Sequence, residues 1–282
     1  MTERHRDVHR AAQQHLDQWA LRVDGPPRES AGSLVVPVLS SEGTAAVLKV
    51  SRGDESSEHE HLALRRWGGA AAVRLLGADP PARTILVERL HPQNLLSLND
   101  TEACEIVAGL WHRLHVPPMP QLSSVTTYVA HWMDTIDQLP RRAAIPRRLV
   151  EQVAALSREV SADAPDEVLL HGNLHYGTVL GADREPWLAI APRPMNGSPH
   201  YELAPMLWHR WNELADIHGG VRDGIRRRFF TLVDAAGLGE DLARAWTLIR
   251  VVHAWTRDLT AQQAPHATAL TRYAAIAKAV QD

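Results

Sequence analysis

Apolar positions along the chain follow two regimes. Between residues 34 and 90 they come in short runs separated by turn residues; from Leu98 onward they recur every three or four residues, with one brief return to short runs. Ahead of both, Val8, Ala11, Ala12, Leu16, Trp19, Ala20 and Leu21 predict a helix over residues 5–22, ended by Gly25-Pro26-Pro27. Leu34–Leu39, a turn at Ser41-Glu42-Gly43-Thr44 and Ala45–Val50 predict a hairpin. A helix from Glu58 to Trp67 follows, then strands at Val73–Leu76 and Thr84–Glu88. In the second regime Asn99 or Asp100 caps a helix through Ile106, Val107, Leu110, Trp111 and Leu114, closed by Pro117-Pro118. Further helices are expected over 125–139, ending before Pro140, and over 146–160, 201–214, 222–236, 242–259 and 267–280. The return to short runs comes at Val168-Leu169-Leu170 and Trp187-Leu188-Ala189-Ile190, which frame a polar loop as strand, loop, strand, turn, strand.

Strands with one helix, then helices around an inserted hairpin, make an α+β order of elements. The boundary falls between residues 1–90 and 91–282, the second part carrying the loop 171–180 and the turn 191–194. At 282 residues and 45% hydrophobic, the chain is long and apolar enough for a substantial core. A net charge of -3 gives no reason to expect nucleic acid or an anionic membrane as a partner. Cys104 is the lone cysteine, so neither an internal disulfide nor a cysteine metal cluster can form, and it reads as a buried structural thiol. The first residues hold no apolar leader and no run of eighteen apolar residues occurs, so the expected location is cytoplasmic. Arg226-Arg227-Arg228 reads as a solvated helix face.

The polar loop is His171-Gly-Asn-Leu-His-Tyr-Gly-Thr-Val-Leu180, and the turn beyond it is Ala191-Pro-Arg-Pro194. Together with Gly197, Tyr201, Leu203-Ala204-Pro205 and Leu207-Trp208, these resemble the aminoglycoside and hydroxyurea phosphotransferase family. That family writes the loop His-Gly-Asp-x-His-x-x-Asn and the turn Asp-Pro-Lys-Pro. The resemblance implies a bilobal, protein-kinase-like fold, with a small, mainly β N-lobe and a larger helical C-lobe. It also implies that Lys49 on the second hairpin strand holds nucleotide phosphates and that Glu60 is its partner, with Glu58 as rival. Both acids, and the lysine, can also be read as ordinary surface charges. Glu88 and Leu90 fall where the family's hinge offers backbone groups to adenine.

In that frame Asn173 stands at the catalytic aspartate, and Thr178 and Ala191 at the two metal-binding positions. An amide takes no proton near neutral pH, and losing a general base costs about 10²–10⁴ in rate. A methyl group does not bind Mg²⁺. Glu202 replaces the family's Asp and is long enough to brace the loop by accepting backbone N–H bonds. The expectation drawn from these departures is a pseudokinase: no cofactor and no metal, and a cleft turned to acid–base chemistry on, or binding of, a polar small molecule. His171, Asn173, His175, Tyr176, His200 and His209 are its candidate residues. His171 and His175 belong to the family frame, where they are structural; their spacing of four in a loop is no metal signature. His200 and His209 fit acid–base work, ligand contact or a surface position equally. Two alternatives stand beside this one: a non-catalytic module that binds a protein partner, and a surviving phosphotransferase that uses ATP and Mg²⁺ on an aminoglycoside-like hydroxyl.

Overall fold

The computed structural model describes residues 3–30, 32–52, 58–136, 143–162, 167–216, 219–260 and 267–281. Two compact units form, one from residues 1–93 with 179–194, the other from 94–178 with 195–282. The hairpin at 179–194 therefore sides with the first unit, not with the helices expected to carry it.

The first unit is built on a six-stranded antiparallel sheet of β1 (Arg22–Val23), β2 (Arg28–Ser30), β3 (Ser33–Leu39), β4 (Ala45–Ser51), β5 (Leu75–Asp79) and β6 (Thr84–Glu88), ordered β1-β3-β4-β6-β5 with β2 also on β3. Alternation sends Leu34, Val36 and Val38 of β3 and Ala46, Leu48 and Val50 of β4 into one core, where they meet Val8, Ala12 and Leu16 of helix α1 (Glu3–Gln18). Lys49 thereby faces the other side of the sheet. Helix α1 stops four residues short of the expected end, because Ala20 turns into the left-handed region at φ 49° and Leu21 N–H closes on Leu16 O at 2.8 Å. In helix α2 (Glu60–Trp67) the buried stripe is Glu60, Ala63, Leu64 and Trp67, so an acid occupies a core-facing position. The hairpin of β8 (Val179–Gly181) and β9 (Trp187–Ala189) is stitched to this unit by Val73 N–H to Ala189 O, Ala189 N–H to Ala71 O, and His91 N–H to Gly181 O.

Helices dominate the second unit: α3 (Asp100–Leu114), α4 (Val125–Ile136), α5 (Arg147–Ala162), α6 (Ala204–Trp208), α7 (Gly220–Ala236), α8 (Glu240–Thr260) and α9 (Ala267–Ala279). Residues 137–139 of the expected fourth-helix tail, and Pro140, lie outside the described residues. Asn99, not Asp100, caps α3, its Oδ1 accepting from Glu102 N–H at 2.9 Å. The single helix expected over 201–214 is broken into a 3-10 turn at Pro199–Glu202, the short α6, and a 3-10 segment at Trp211–Asp216. Strand β7 (Val168–Leu170) pairs antiparallel with β10 (Met195–Gly197). A Cβ at Gly197 would meet Val125 Cγ2 at 2.7 Å, which fixes glycine where α4 crosses this ribbon. Arg228 corrects the expectation that its run is a solvated face: it is 1% exposed, donating from Nε to Asp100 at 2.6 Å and from Nη1 to His209 O at 2.8 Å. Cys104 is buried as expected, its thiol pushed up to about 12, chiefly by burial.

Candidate active site

In the first unit Lys49 Nζ donates to both oxygens of Glu60, at 2.9 and 2.6 Å, while Glu58 is exposed. Glu60 is only 3% exposed, which explains the pairing, since an unpaired carboxylate there would be costly. Glu88 is held through its side chain. Its carboxylate accepts from Arg74 N–H at 2.8 Å and from Arg184 Nη2 at 2.6 Å, and Arg184 also donates to Gly69 O and Ala72 O. Burial alone would raise the Glu88 carboxyl; Arg184 and Arg74 reverse that and hold it low. Arg184, which ties the β8–β9 turn into the unit, carries no motif that marks it in the sequence. Leu90, by contrast, has no backbone partner among the described residues. Ala191 sits at φ +53°, a left-handed conformation that asparagine and aspartate tolerate better than alanine.

In the second unit the loop after β7 hangs on Glu202. This fully buried carboxylate accepts from His171 N–H at 2.5 Å and from Gly172 N–H at 3.1 Å, the bracing that its length suggested. Burial pushes its carboxyl up, but His115 (Nε2 3.8 Å away), His171 and Arg250 outweigh that and leave it below the usual carboxylate value. Arg250, from α8, completes the clamp by donating to Gly172 O and Tyr201 O, each at 2.5 Å. It too lacks any sequence signature. Thr178 Oγ1 accepts from His175 N–H at 2.9 Å and lies 2.9 Å from Asn173 O and 3.1 Å from His175 O. Its hydroxyl is thus spent on closing the loop.

The candidate histidines and tyrosine separate cleanly. His171 is completely buried, with Nδ1 accepting from Asn173 N–H at 3.3 Å, a structural role. Tyr176 is completely buried too: its hydroxyl donates to Asp100, and the Arg210 and Arg228 guanidiniums lie 5.3 Å from its ring centre. Burial raises its phenol further above the ordinary value, and its hydroxyl is already engaged by Asp100. His200 uses both nitrogens, Nδ1 with Ser198 Oγ at 2.8 Å and Nε2 accepting from Gly239 N–H at 3.2 Å. It staples the turn before α6 to the α7–α8 connection. His175 and His209 stack face to face, 3.6 Å between centres and 7° between planes.

Of the groups that a kinase-like fold implies, a triphosphate fits Lys49, a cation already held in place by Glu60. A magnesium ion does not fit the two positions that the motif assigns to it. Ala191 presents a methyl group, the Thr178 hydroxyl is occupied within its own loop, and no group of three or more His, Cys, Asp or Glu among the described residues could hold a metal. No helix among the described residues is long and apolar enough to cross a membrane.

Residues 18–260 match the family model described as aminoglycoside/hydroxyurea antibiotic resistance kinase. The chain is 40% identical to hydroxyurea phosphotransferase of Kitasatospora aureofaciens, over 84% of its own length and 69% of the relative's. It is 38% identical to streptomycin 6-kinase of Streptomyces glaucescens, over 84% and 78%. Among solved structures, aminoglycoside phosphotransferase APH(4)-Ia superposes with a TM-score of 0.63 at 16% identity, covering 96% of this chain and 99% of that one. Choline kinase LicA from Streptococcus pneumoniae gives 0.64 at 9% identity, covering 97% and 98%. The kinase-like fold is thereby shown. The pseudokinase expectation is overturned: the relatives matched over most of the chain are named as phosphotransferring enzymes, and Asn173, Thr178 and Ala191 do not by themselves mark a chain set apart from that chemistry. By its sequence and its fold alike, the chain belongs to the aminoglycoside/hydroxyurea antibiotic resistance kinase family.

Proposed function

We propose that this protein transfers the terminal phosphoryl group of a nucleoside triphosphate to a hydroxyl of a polar small molecule, of the aminoglycoside or hydroxyurea class. The observation that carries the reading is the Lys49–Glu60 pair, a strand lysine oriented by a buried acid. Phosphoryl transfer depends mainly on positioning and on neutralising charge, and Lys49 supplies a fixed positive charge for the phosphates. The braced loop supports the acceptor side, since Glu202 holds the N–H groups of His171 and Gly172 and Arg250 holds Gly172 O. Leu90 offers free backbone groups suited to a nucleobase edge.

The test is release of ADP from ATP with streptomycin or hydroxyurea as acceptor. Release that requires the acceptor, falls at least about tenfold in Lys49→Ala and is partly kept in Lys49→Arg supports the proposal. No acceptor-dependent release with either compound, or release indifferent to both substitutions, overturns it.

A further inference from the structure

We propose that His209 Nε2 is the proton acceptor for the substrate hydroxyl, an inference that rests on the phosphotransferase reading and names a group it leaves open. Asn173 cannot fill that role, because an amide oxygen is not a base near neutral pH. The geometry fixes the tautomer of His209. Its Nδ1 lies 2.7 Å from Pro205 O, a carbonyl that only accepts, so Nδ1 carries the proton and Nε2 the lone pair. Nε2 has no hydrogen-bond partner among the described residues, and the ring is half-buried rather than sealed. His175 is set the opposite way: its Nδ1 accepts from Gly177 N–H at 3.2 Å, which places its own proton on Nε2. The stack of the two imidazoles, 3.6 Å between centres, anchors His209 to the loop two residues from Asn173.

The surroundings keep His209 neutral. Burial, with the charges of Arg272 from α9, Arg228 from α7 and Arg250 from α8, pushes its imidazole below the usual 6.5, against the opposing pull of the Pro205 hydrogen bond. Arg228 is balanced by Asp100, 2.6 Å away, and Arg250 is spent on backbone carbonyls. A neutral base with a free lone pair at pH 7 is the form that general-base catalysis needs. In the transfer the substrate O–H bond breaks and its proton passes to Nε2. The oxygen bonds to the terminal phosphorus of the nucleoside triphosphate, and the bond from that phosphorus to the bridging oxygen breaks as the diphosphate leaves. The imidazolium then returns its proton to water.

His209→Gln should lower kcat for ADP release by about 10²–10⁴ with the KM for ATP unchanged, and should abolish the acid limb expected in wild-type kcat/KM below pH 6.5. Retention of rate and acid limb in a folded variant would overturn the proposal while leaving the phosphotransferase reading intact. A second measurement needs neither turnover nor a variant. In the ¹⁵N spectrum of the wild-type protein, His209 should be a neutral Nδ1–H tautomer at pH 7 that titrates below 6.5. A cationic or Nε2–H ring at pH 7 would equally overturn it.

Discussion

Glu202 is the sharpest place to test how the loop is held. In Glu202→Ala the backbone N–H groups of His171 and Gly172 lose their acceptor inside a fully buried site. Each orphaned donor costs about 1–3 kcal/mol, so the pair should cost roughly 2–6 kcal/mol, a large share of the ~5–15 kcal/mol that holds a typical domain. Glu202→Gln keeps one acceptor oxygen but turns an NH₂ toward a backbone donor, and should fall between alanine and wild type. Urea melts at pH 7 measure both. The acid limb supplies a second reading. Because the folded carboxyl lies below its ordinary 4.5, its contribution is complete above that value and is lost as pH falls beneath it, through the lowered folded value. Wild type should therefore lose more stability than Glu202→Gln between about pH 6 and pH 3. A Glu202→Ala protein within about 0.5 kcal/mol of wild type, or parallel acid limbs for wild type and Gln, would refute the claim that this carboxylate carries the loop.

Two further substitutions probe neighbouring claims. Ala191→Gly or Ala191→Asn should raise stability by about 0.5–1 kcal/mol in thermal melts, since either residue takes φ +53° more readily than alanine; no gain from both would show that the turn is unstrained. Tyr176→Phe should cost about 1–2 kcal/mol by removing the hydrogen bond to Asp100, yet change kcat for ADP release less than about twofold; a loss comparable to that of His209→Gln would return Tyr176 to the reacting groups.

Much of the scaffold could be read from periodicity. Alternation in Ser33–Leu39 and Ala45–Ser51 and the helical spacing of Ile106 through Leu114 describe elements whose burial is decided by their own side-chain pattern. Lys49 with Glu60 was accessible through motif position, and Glu202 through its length. Three things were not. The end of α1 depends on an alanine adopting a left-handed angle, which composition does not announce. Arg184, Arg228 and Arg250 meet Glu88, His209 O and Tyr201 O, which lie 96, 19 and 49 residues away, so the local sequence does not distinguish them from surface arginines. Tyr176 looked reactive because it stands in the loop; its hydroxyl instead meets Asp100, 76 residues away. Asn173, Thr178 and Ala191 show the related limit: motif letters name side chains at fixed places, while chemistry can draw on groups delivered by other elements.

The hairpin at 179–194 has a consequence for how the chain is made. Its amides and carbonyls pair with Ala71, Val73, His91 and Gln93, and Arg184 supplies the guanidinium that neutralises Glu88. A nascent chain that has emerged only as far as Gln93 holds those backbone groups unmatched and that carboxylate without its Arg184 partner. The amino-terminal unit thus waits on the ribosome for residues encoded far downstream, and must stay out of aggregation until they arrive.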